Sequence, residues 1–307
     1  MKLIKPSFEI IEQEPGVKGI FKQIELAGRT CYKSEDKITP VSAREFVQRM
    51  IKSGHGAMLE HGTVYLHMKD YDELDADKYS RDPYSSILCY SPDKCRYTDL
   101  YVSTNLRVLV EHYWLDDLKY ICEPTKYHEK RYTVKFICDR GVSHEFVRHR
   151  VMSFAQESTR YCNYSKDKFG GEITCIQPPW VRDVIGNKSY DGELNIMAQT
   201  PLDNYQNGED TFLNALCSAE DAYFILLDKW DNRVPDKRFK TGFKGNPWTP
   251  QQARSVLPNA LKTEIVVTGF RHDWEHFFKL RCAENAHPQA RELAIPLRDE
   301  FIKRKYI

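Results

Sequence analysis

The sequence predicts a protein of mixed helical and β structure, and two kinds of segment predict it. Strands are indicated by the β-rich run 132–138 (YTVKFIC), by apolar–polar alternation over 63–68, and by 264–267. Amphipathic spacing over 211–230 and after Asp273 indicates helices with one buried face. With 307 residues, the chain is long enough to bury a sizeable core in one large or two modest domains.

Composition excludes several classes of protein. A formal net charge of +1 gives no general attraction to nucleic acid or to anionic membranes. No stretch approaches the roughly 18 apolar residues of a membrane span, and the N-terminus has no signal-peptide pattern, so we expect a cytoplasmic protein. The nine cysteines form no CxxC pair, which favours reduced thiols over a zinc ribbon or a redox dithiol.

In chain order, the first predicted helix begins at Thr39-Pro40, with threonine as its cap, and ends at Gly54. Its apolar stripe is Phe46, Val47, Met50 and Ile51. A loop, 55–61, leads to the strand at 63–68. Residues 70–131 open with an acidic run and contain a helix-like segment from Leu106 to Tyr113. Because this stretch has few apolar residues for a core of its own, we interpret it as an insertion packed on the main core.

The most unusual stretch is 142–164. Asp139-Arg140-Gly141 indicates a turn, after which Ser143 could cap a short helix with Phe146 and Val147 facing inward. The end of this helix carries Arg148-His149-Arg150, and the segment after Val151 has no sustained period, which indicates an ordered loop.

The chemistry of this stretch suits a multiply charged oxygen ligand such as a phosphate. Arginine presents a planar fork to phosphate, and the hydroxyls that accompany Arg148, Arg150 and Arg160 can complete the shell. These hydroxyls are Ser153, Ser158 and Thr159. One alternative is a solvated basic face. A zinc helix of the HExxH type is disfavoured, because His144 and His149 are five residues apart instead of four.

The C-terminal part continues with turn-rich sequence over 165–210, an amphipathic helix from Thr211 to Trp230, and a basic loop over 235–247. Thr249-Pro250 then opens a short helix that contains Arg254 among apolar residues, an arrangement that suggests an anionic partner.

A helix capped by Asp273 follows the strand at 264–267. Trp274, Phe277 and Phe278 form its apolar stripe, and Arg281 lies on the same face at i+7. The last helix covers 287–305 and is expected to kink at Pro296. Its predicted apolar face is formed by Ala290, Leu293, Ala294, Leu297 and Phe301.

Arg148-His149-Arg150, seven residues and then Ser158 resemble the RHR-x7-S motif of the flavin-dependent thymidylate synthases. Gly54-His55 followed by Glu60-His61 is similar to a second motif of this family, and A-R-x-x-L-P at 253–258 to a third. The tail H-P-Q-x-R-E-L, from His287, also resembles the family, so the matches run from about Arg29 to Phe301. They are broken by 70–131 and by the loops near 165–210.

This resemblance implies an α+β fold of the thymidylate-synthase-complementing type, in which one sheet is flanked by helices. It implies a single domain, 1–307, with a family-atypical insertion at about 70–131. It further implies a homotetramer with active sites between subunits. The implied reaction makes dTMP from dUMP, with FAD as cofactor and NADPH and 5,10-methylenetetrahydrofolate as co-substrates.

Residue roles follow from the same resemblance, and a metal is not among them. Arg281 would be catalytic and lie over the uracil, where a positive charge polarises the ring. The FAD-binding residues would be His55, Glu60, Arg148, His149, Arg150, Gln156 and His276. The dUMP-binding residues would be Glu145, Arg148, Gln156, Glu157, Ser158, Thr159, Arg160, Arg254 and Arg281.

The chain departs from the family pattern at several of these places. Ala155-Gln156 replaces a frequent Asn-Glu, Glu145 replaces a glutamine, and other changes are Ala57 and His276. Two alternatives therefore remain at this point. One is a flavoprotein of this fold that lacks synthase activity, and the other is a nucleic-acid-binding protein that uses the arginine-rich loop.

Overall fold

The computed structural model describes residues 1–71, 73–91, 99–181, 193–195, 208–227 and 247–307. Its strands are β1 (Lys2–Ile4), β2 (Ser7–Ile11), β3 (Thr63–Lys69), β4 (Ser86–Tyr90), β5 (Asp99–Asn105), β6 (Arg131–Asp139), β7 (Ser153–Gln156), β8 (Thr174–Ile176), β9 (Glu193–Asn195) and β10 (Lys262–Phe270). Its helices are α1 (Gly16–Tyr32), α2 (Ser42–Lys52), α3 (Gly56–Leu59), α4 (Glu73–Ser80), α5 (Leu106–Glu111), α6 (Arg140–Phe146), α7 (Gly208–Leu226), α8 (Pro250–Ala253), α9 (Arg271–Arg281) and α10 (Pro288–Lys303).

The central sheet has the strand order β2-β6-β10-β7, and all of its neighbours are antiparallel. On one face, alternate residues of β6 and β10 pack against α6, α9 and α10 in a core that includes Phe136, Trp274 and Phe277. On the other face, Ala27 of α1 packs against Ala155 and Val266. The predicted α+β fold, with a sheet flanked by helices, is therefore confirmed.

Two connections of this sheet bring distant residues together. Because β6 and β10 are antiparallel, α6 and α9 begin at opposite ends of the sheet. The 11 residues of α9 span roughly 16 Å, at about 1.5 Å per residue. The last residue of α9, Arg281, consequently lies beside the C-terminal end of α6.

The region 70–131 contributes to a second sheet, with strand order β3-β5-β4. Its inward side chains, such as Leu100 and Val102, join a core with Ile24 of α1 and Phe46 of α2. The insertion therefore shares its core with helices from the N-terminal part of the chain. A third sheet, β8-β1-β9, pairs the N-terminus with segments that follow the arginine-rich stretch.

Several predicted boundaries were wrong for local reasons. Helix α6 is capped by Asp139, whose carboxylate accepts the Val142 N–H at 2.7 Å, while Ser143 lies inside the helix. Val147 is exposed instead of buried. The segment after Val151, which we expected to be a loop, contains β7, because pairing with β10 supplies hydrogen bonds that periodicity does not reveal.

Other errors concern helix starts and one missed helix. Helix α1, which covers Gly16–Tyr32, was not predicted. Helix α2 begins at Ser42, and its C-terminal stop at Gly54 is confirmed by a φ of 70°. Asp273 lies within the first turn of α9, where its carboxylate accepts the Phe270 N–H.

The long helix α7 agrees with the amphipathic prediction, but its buried face is centred on Leu216 and Tyr223, with Phe212 at its edge. The predicted end at Trp230 and most of the predicted basic loop lie outside the described residues. None of the helices in the described part is both long and apolar enough to cross a membrane.

Candidate active site

Arg281 is the centre of a polar cluster at the ends of α6 and α9. Its Nε donates to His149 Nε2 at 2.9 Å, its Nη1 to Glu145 Oε2 at 2.5 Å, and its Nη2 to the Glu145 carbonyl oxygen at 2.6 Å. His276, five residues earlier in α9, places its ring 5.8 Å from that of His149. We call Glu145, His149, His276 and Arg281 the helix-end cluster.

Aromatic packing fixes the position of this cluster. Phe146 and Phe277 are fully buried, and their ring centroids are 5.0 Å apart, which joins α6 to α9. The His149 ring lies on Phe277 at 5.0 Å. Because these rings are close-packed, the guanidinium of Arg281 is held in one orientation before any ligand binds.

The imidazole of His149 is neutral at physiological pH. Burial, together with the charge of Arg281 and the neighbouring His276, lowers the pKa of His149 to about 4. A neutral imidazole can accept the Arg281 Nε–H through Nε2, which leaves the proton on Nδ1. Nδ1 is buried and has no partner among the described residues. Burial also lowers the pKa of Arg281, although Glu145 opposes this effect.

The two arginines that flank His149 in sequence are arranged differently from it. The side chains of Arg148 and Arg150 are exposed, while His149 is 4% exposed. Neither arginine forms an ion pair with another described residue. The stretch therefore presents two uncompensated guanidiniums to the surface and one imidazole to the interior.

The loop after β7 forms a second group of predicted residues. The Ser158 N–H donates to the Cys31 carbonyl oxygen at the end of α1, and Thr159 is buried. Arg160 is exposed, and its Nε donates to Gln251 of α8 at 3.2 Å. Arg254 follows α8 directly.

Arg254 differs from the expected buried arginine with an anionic partner. It is the first residue of a 3₁₀ turn, its side chain is exposed, and it forms no ion pair with another described residue. Arg160 contacts Gln251, which lies three residues before Arg254, so both arginines are associated with α8 and the turn that follows it. Within the described part, no hydrogen bond or ion pair joins this group to the helix-end cluster.

Gln156 and Glu157 turn toward the interior. The Gln156 amide nitrogen donates to Ser143 Oγ at 2.8 Å and to Thr263 Oγ1 at 3.2 Å, which ties β7 to α6. Glu157 is 1% exposed; its carboxylate accepts from Lys262 Nζ at 2.8 Å and from the Tyr164 hydroxyl at 3.2 Å.

Sequence reasoning missed the network to which Glu157 belongs. Lys262 also donates to Glu264, and Lys33 and Lys135 contact the same carboxylate. This carboxylate therefore has three lysine partners, and they hold the pKa of Glu264 far below its usual value despite its burial. Lys262 and Glu264 are two residues apart on β10 and share a face, a spacing that would have indicated the pair.

The predicted residues of segment 54–61 make contacts of two kinds. His55 Nδ1 and the Tyr32 hydroxyl are 3.1 Å apart, and the Tyr32 ring lies 5.5 Å from that of Tyr161 in the loop after β7. Glu60 is buried, and its carboxylate pairs with Arg107 of the insertion. His55 also borders a cleft of about 640 Å³ whose basic lining residues sequence reasoning did not select: Arg29, Lys37, Arg49 and Lys168.

The comparisons with known proteins decide the family. A family model described as "Thymidylate synthase complementing protein" matches residues 127–304, more than half of the chain. The chain belongs to this family. It is an enzyme of the methyltransferase class, and the resemblance on which the sequence prediction was based is confirmed.

Individual members of the family are distant from this chain. A flavin-dependent thymidylate synthase of Corynebacterium glutamicum is 22% identical over 287 residues, covering 93% of this chain and 76% of the relative. One from Mycobacteroides abscessus is 31% identical over 156 residues, 51% of each chain. The UMP/dUMP methylase PolB from Streptomyces cacaoi, solved with 5-Br dUMP, is 16% identical, with a TM-score of 0.40 and coverage of 99% and 93%. This structural likeness is too weak to transfer a site.

For this thymidylate-synthase-complementing protein, the buried neutral His149 predicts acid sensitivity. Its folded pKa is about 4 and its ordinary value 6.5, so the unfolded chain binds more protons between these values. The contribution of neutral His149 to the free energy of unfolding is therefore complete above pH 6.5 and is lost as the pH falls toward 4. We expect up to roughly 3 kcal/mol of this loss to come from His149. Urea unfolding measured from pH 7 to pH 4 checks this.

His149→Gln is the matched variant, because glutamine can still accept from Arg281 but does not titrate. Its free energy of unfolding should fall less steeply with decreasing pH than that of the wild type. Burial lowers the pKa of His61 to about 3, so His61 contributes a similar pH dependence of the unfolding free energy to both proteins. Equal slopes in the two proteins would contradict the assignment of a neutral His149.

Proposed function

We propose that this protein is a flavin-dependent thymidylate synthase. It would convert dUMP to dTMP, with methylenetetrahydrofolate as the carbon donor and NADPH-reduced FAD as the source of hydride. The names of the relatives support the flavin and the product, and the helix-end cluster supports the activation of a pyrimidine ring. The observation that carries the proposal is the guanidinium of Arg281, which three hydrogen bonds hold in a partly buried position.

Arg281 is suited to polarise a uracil. A fixed cation in a partly desolvated site stabilises negative charge that develops on a carbonyl oxygen, and it needs no reorganisation during the reaction. The side chain of Arg281 is 15% exposed, and Nη1 and Nη2 each carry a second N–H beyond the contacts described above. Glu145 would hold the guanidinium in place and lie beside the ring, where the resemblance puts a uracil-reading residue.

The donor set of this chain fits a flavin dinucleotide. Arg148 and Arg150 are exposed cations without an ion-pair partner in the described part, which suits the pyrophosphate. His149 offers a buried Nδ1 that lacks a partner there. Together with His55, Glu60, Gln156 and His276, these residues would hold FAD. When bound and reduced, the flavin would supply the hydride.

The phosphate of dUMP would be bound by the loop after β7. Arg160 and Arg254 supply two exposed guanidiniums beside α8, and Ser158 and Thr159 supply hydroxyls. The Ser158 main chain is fixed on Cys31, so the loop is ordered by the fold and not by the ligand alone.

One departure from the family pattern, Gln156, has a structural consequence. Both contacts of Gln156 use its amide nitrogen, so the group that it can present to flavin or dUMP is the amide oxygen, an acceptor without a charge. Gln156 would therefore orient a ligand but not move a proton. We further propose that Glu157 supports dUMP binding from behind, by fixing the loop through Lys262.

We also propose the homotetramer that the resemblance implies, formed by one domain, 1–307, with the insertion at about 70–131. No hydrogen bond or ion pair among the described residues joins the helix-end cluster to the Arg160–Gln251 pair, as expected if residues of two subunits complete one site. Light scattering on the purified protein checks the assembly.

Spectroscopy and product analysis test the proposed function together. The purified protein should show oxidised-flavin absorption, and NADPH should bleach it without oxygen. Adding dUMP and methylenetetrahydrofolate should then yield dTMP. Absence of flavin after reconstitution with FAD would refute the proposal. Bleaching without any dTMP would indicate a flavoprotein that lacks synthase activity.

Cysteine is not expected to act as the nucleophile. Cys162 lies in the loop after β7, and burial and then the Glu157 carboxylate raise its pKa to about 12. A thiol in this setting is not a thiolate at neutral pH. We expect Cys162→Ser to retain turnover within a few fold, measured as dTMP formation. Complete loss of turnover in a folded, flavin-loaded variant would overturn this expectation.

A further inference from the structure

We propose that Arg107, in the insertion, is a positioning residue for the flavin-binding segment 54–61. The inference rests on the proposed function, because it assigns this segment to the flavin. Arg107 belongs to α5, in the stretch that interrupts the family resemblance, so the pattern of the family gives it no role. The insertion would thus form part of the support of the active site.

The side-chain contacts of Arg107 join the two elements. Its Nη1 forms an ion pair with the Glu60 carboxylate, and its Nε donates to Glu111 Oε1 at 2.7 Å. The Glu60 side chain is 10% exposed and that of Arg107 32%, so the pair lies at the boundary between the interior and solvent. In the described part, Arg107 is the cation that pairs with this carboxylate.

Close packing supports the same link. A Cβ atom added to Gly56 would lie 3.1 Å from Arg107 Nε and 3.2 Å from Glu111 Oε1. The Arg107–Glu111 pair therefore lies directly against the backbone of α3, next to His55. A side chain at Gly56 would displace this pair. Segment 54–61 therefore fits α5 both by the charge of Glu60 and by the absence of a side chain at Gly56.

The backbone holds α5 at this place. Asn105, the last residue of β5, pairs with Thr63, and the Leu106 N–H then donates to the Gly62 carbonyl oxygen at 2.9 Å. Asn105 also caps α5, accepting the Val108 N–H. The end of the insertion sheet is thus continuous with the end of segment 54–61, and the fold presents Arg107 to Glu60.

The consequence is that Glu60 depends on Arg107 for its position. A nearly buried carboxylate without a counterion is unfavourable and turns toward water. Removing Arg107 should release Glu60 and loosen the segment around it, so that flavin binds more weakly. The effect should pass through Glu60, which distinguishes it from a direct contact between Arg107 and the flavin.

A double-mutant cycle on the full-length protein tests this inference. The dissociation constant of FAD is measured by quenching of flavin fluorescence for wild type, Arg107→Met, Glu60→Gln and the double variant. We expect each single variant to bind FAD roughly tenfold more weakly, the usual scale for one charge-assisted contact. The double variant should be no weaker than the weaker single variant.

Two controls separate positioning from a loss of folding. Arg81→Met removes an ion pair of the insertion that is exposed to solvent, the pair with Asp77, and should leave FAD binding unchanged. Arg107→Lys retains the charge and should restore most of the affinity. The visible circular dichroism of bound FAD should change in Arg107→Met and recover in Arg107→Lys, which a general loss of stability would not produce.

Several outcomes would overturn the inference. They are unchanged FAD binding in Arg107→Met, independent effects that multiply in the double variant, or an equal loss in Arg81→Met. If Arg107→Met does not fold, Arg107→Gln takes its place in the cycle, and unchanged FAD binding in that variant would also overturn the inference. Wild-type protein that binds no FAD would refute the proposed function as well. A wild type that binds FAD, with variants that behave in one of the ways just described, would refute only the inference about Arg107.

Discussion

Arg281→Lys is expected to form dTMP at least roughly a hundredfold more slowly than the wild type, the usual scale for losing one preorganised donor. The guanidinium uses three nitrogens in three directions, toward His149, the Glu145 carboxylate and the Glu145 carbonyl oxygen. An ammonium group cannot reproduce this planar arrangement, although it keeps the charge. The measurement compares flavin reduction by NADPH with dTMP formation in the same preparation.

Flavin reduction should remain near the wild-type rate, because the proposed role of Arg281 concerns the pyrimidine. Arg271→Lys is the matched control, since Arg271 begins the same helix, is exposed and pairs with Glu275. That variant should make dTMP normally. A wild-type rate of dTMP formation in Arg281→Lys would show that Arg281 does not activate the uracil.

The second large effect concerns the phosphate of dUMP. Arg160→Ala and Arg254→Ala should each weaken dUMP binding roughly tenfold to a hundredfold, because a charge-assisted contact contributes about 1.5–3 kcal/mol. FAD should remain bound. Deoxyuridine, which lacks the phosphate, should be a poor substrate for the wild type and should lose little more in the variants. Binding of dUMP by titration and turnover of both substrates check this.

Lys166→Ala provides the control for a general electrostatic effect, because Lys166 is an exposed cation a few residues after Arg160. A comparable loss of dUMP affinity in this variant would indicate nonspecific attraction. Equal losses for dUMP and deoxyuridine in Arg160→Ala would mean that the arginine does not bind the phosphate.

The placement of Arg281 shows how far local pattern can reach. Its spacing from Trp274, Phe277 and Phe278 predicted that it would lie with the apolar stripe, and α9 confirms this arrangement. The buried face of α10 was likewise predicted residue by residue, including Leu293 and Leu297. Both succeed because burial along a helix is a function of the 3.6-residue period, which the sequence contains.

Strand β7 shows where local pattern fails. Residues 153–156 have no strand period that is evident without their partner, and their extended form depends on hydrogen bonds from β10, more than 100 residues later. The same is true of the cap of α6, where Asp139 competed successfully with Ser143 for the helix start because β6 ends at that residue.

The sequence by itself therefore determined the family, the buried faces of α9 and α10 and the residue types available for chemistry. Only the tertiary structure decided which of these residues meet. Three examples are the contact of Arg281 with Glu145 and His149, the ion pair of Glu157 with Lys262, and the pairing of Glu60 with Arg107. Each joins residues that are 47 to 136 positions apart in the sequence. Such contacts depend on strand order and helix direction, which no local period encodes.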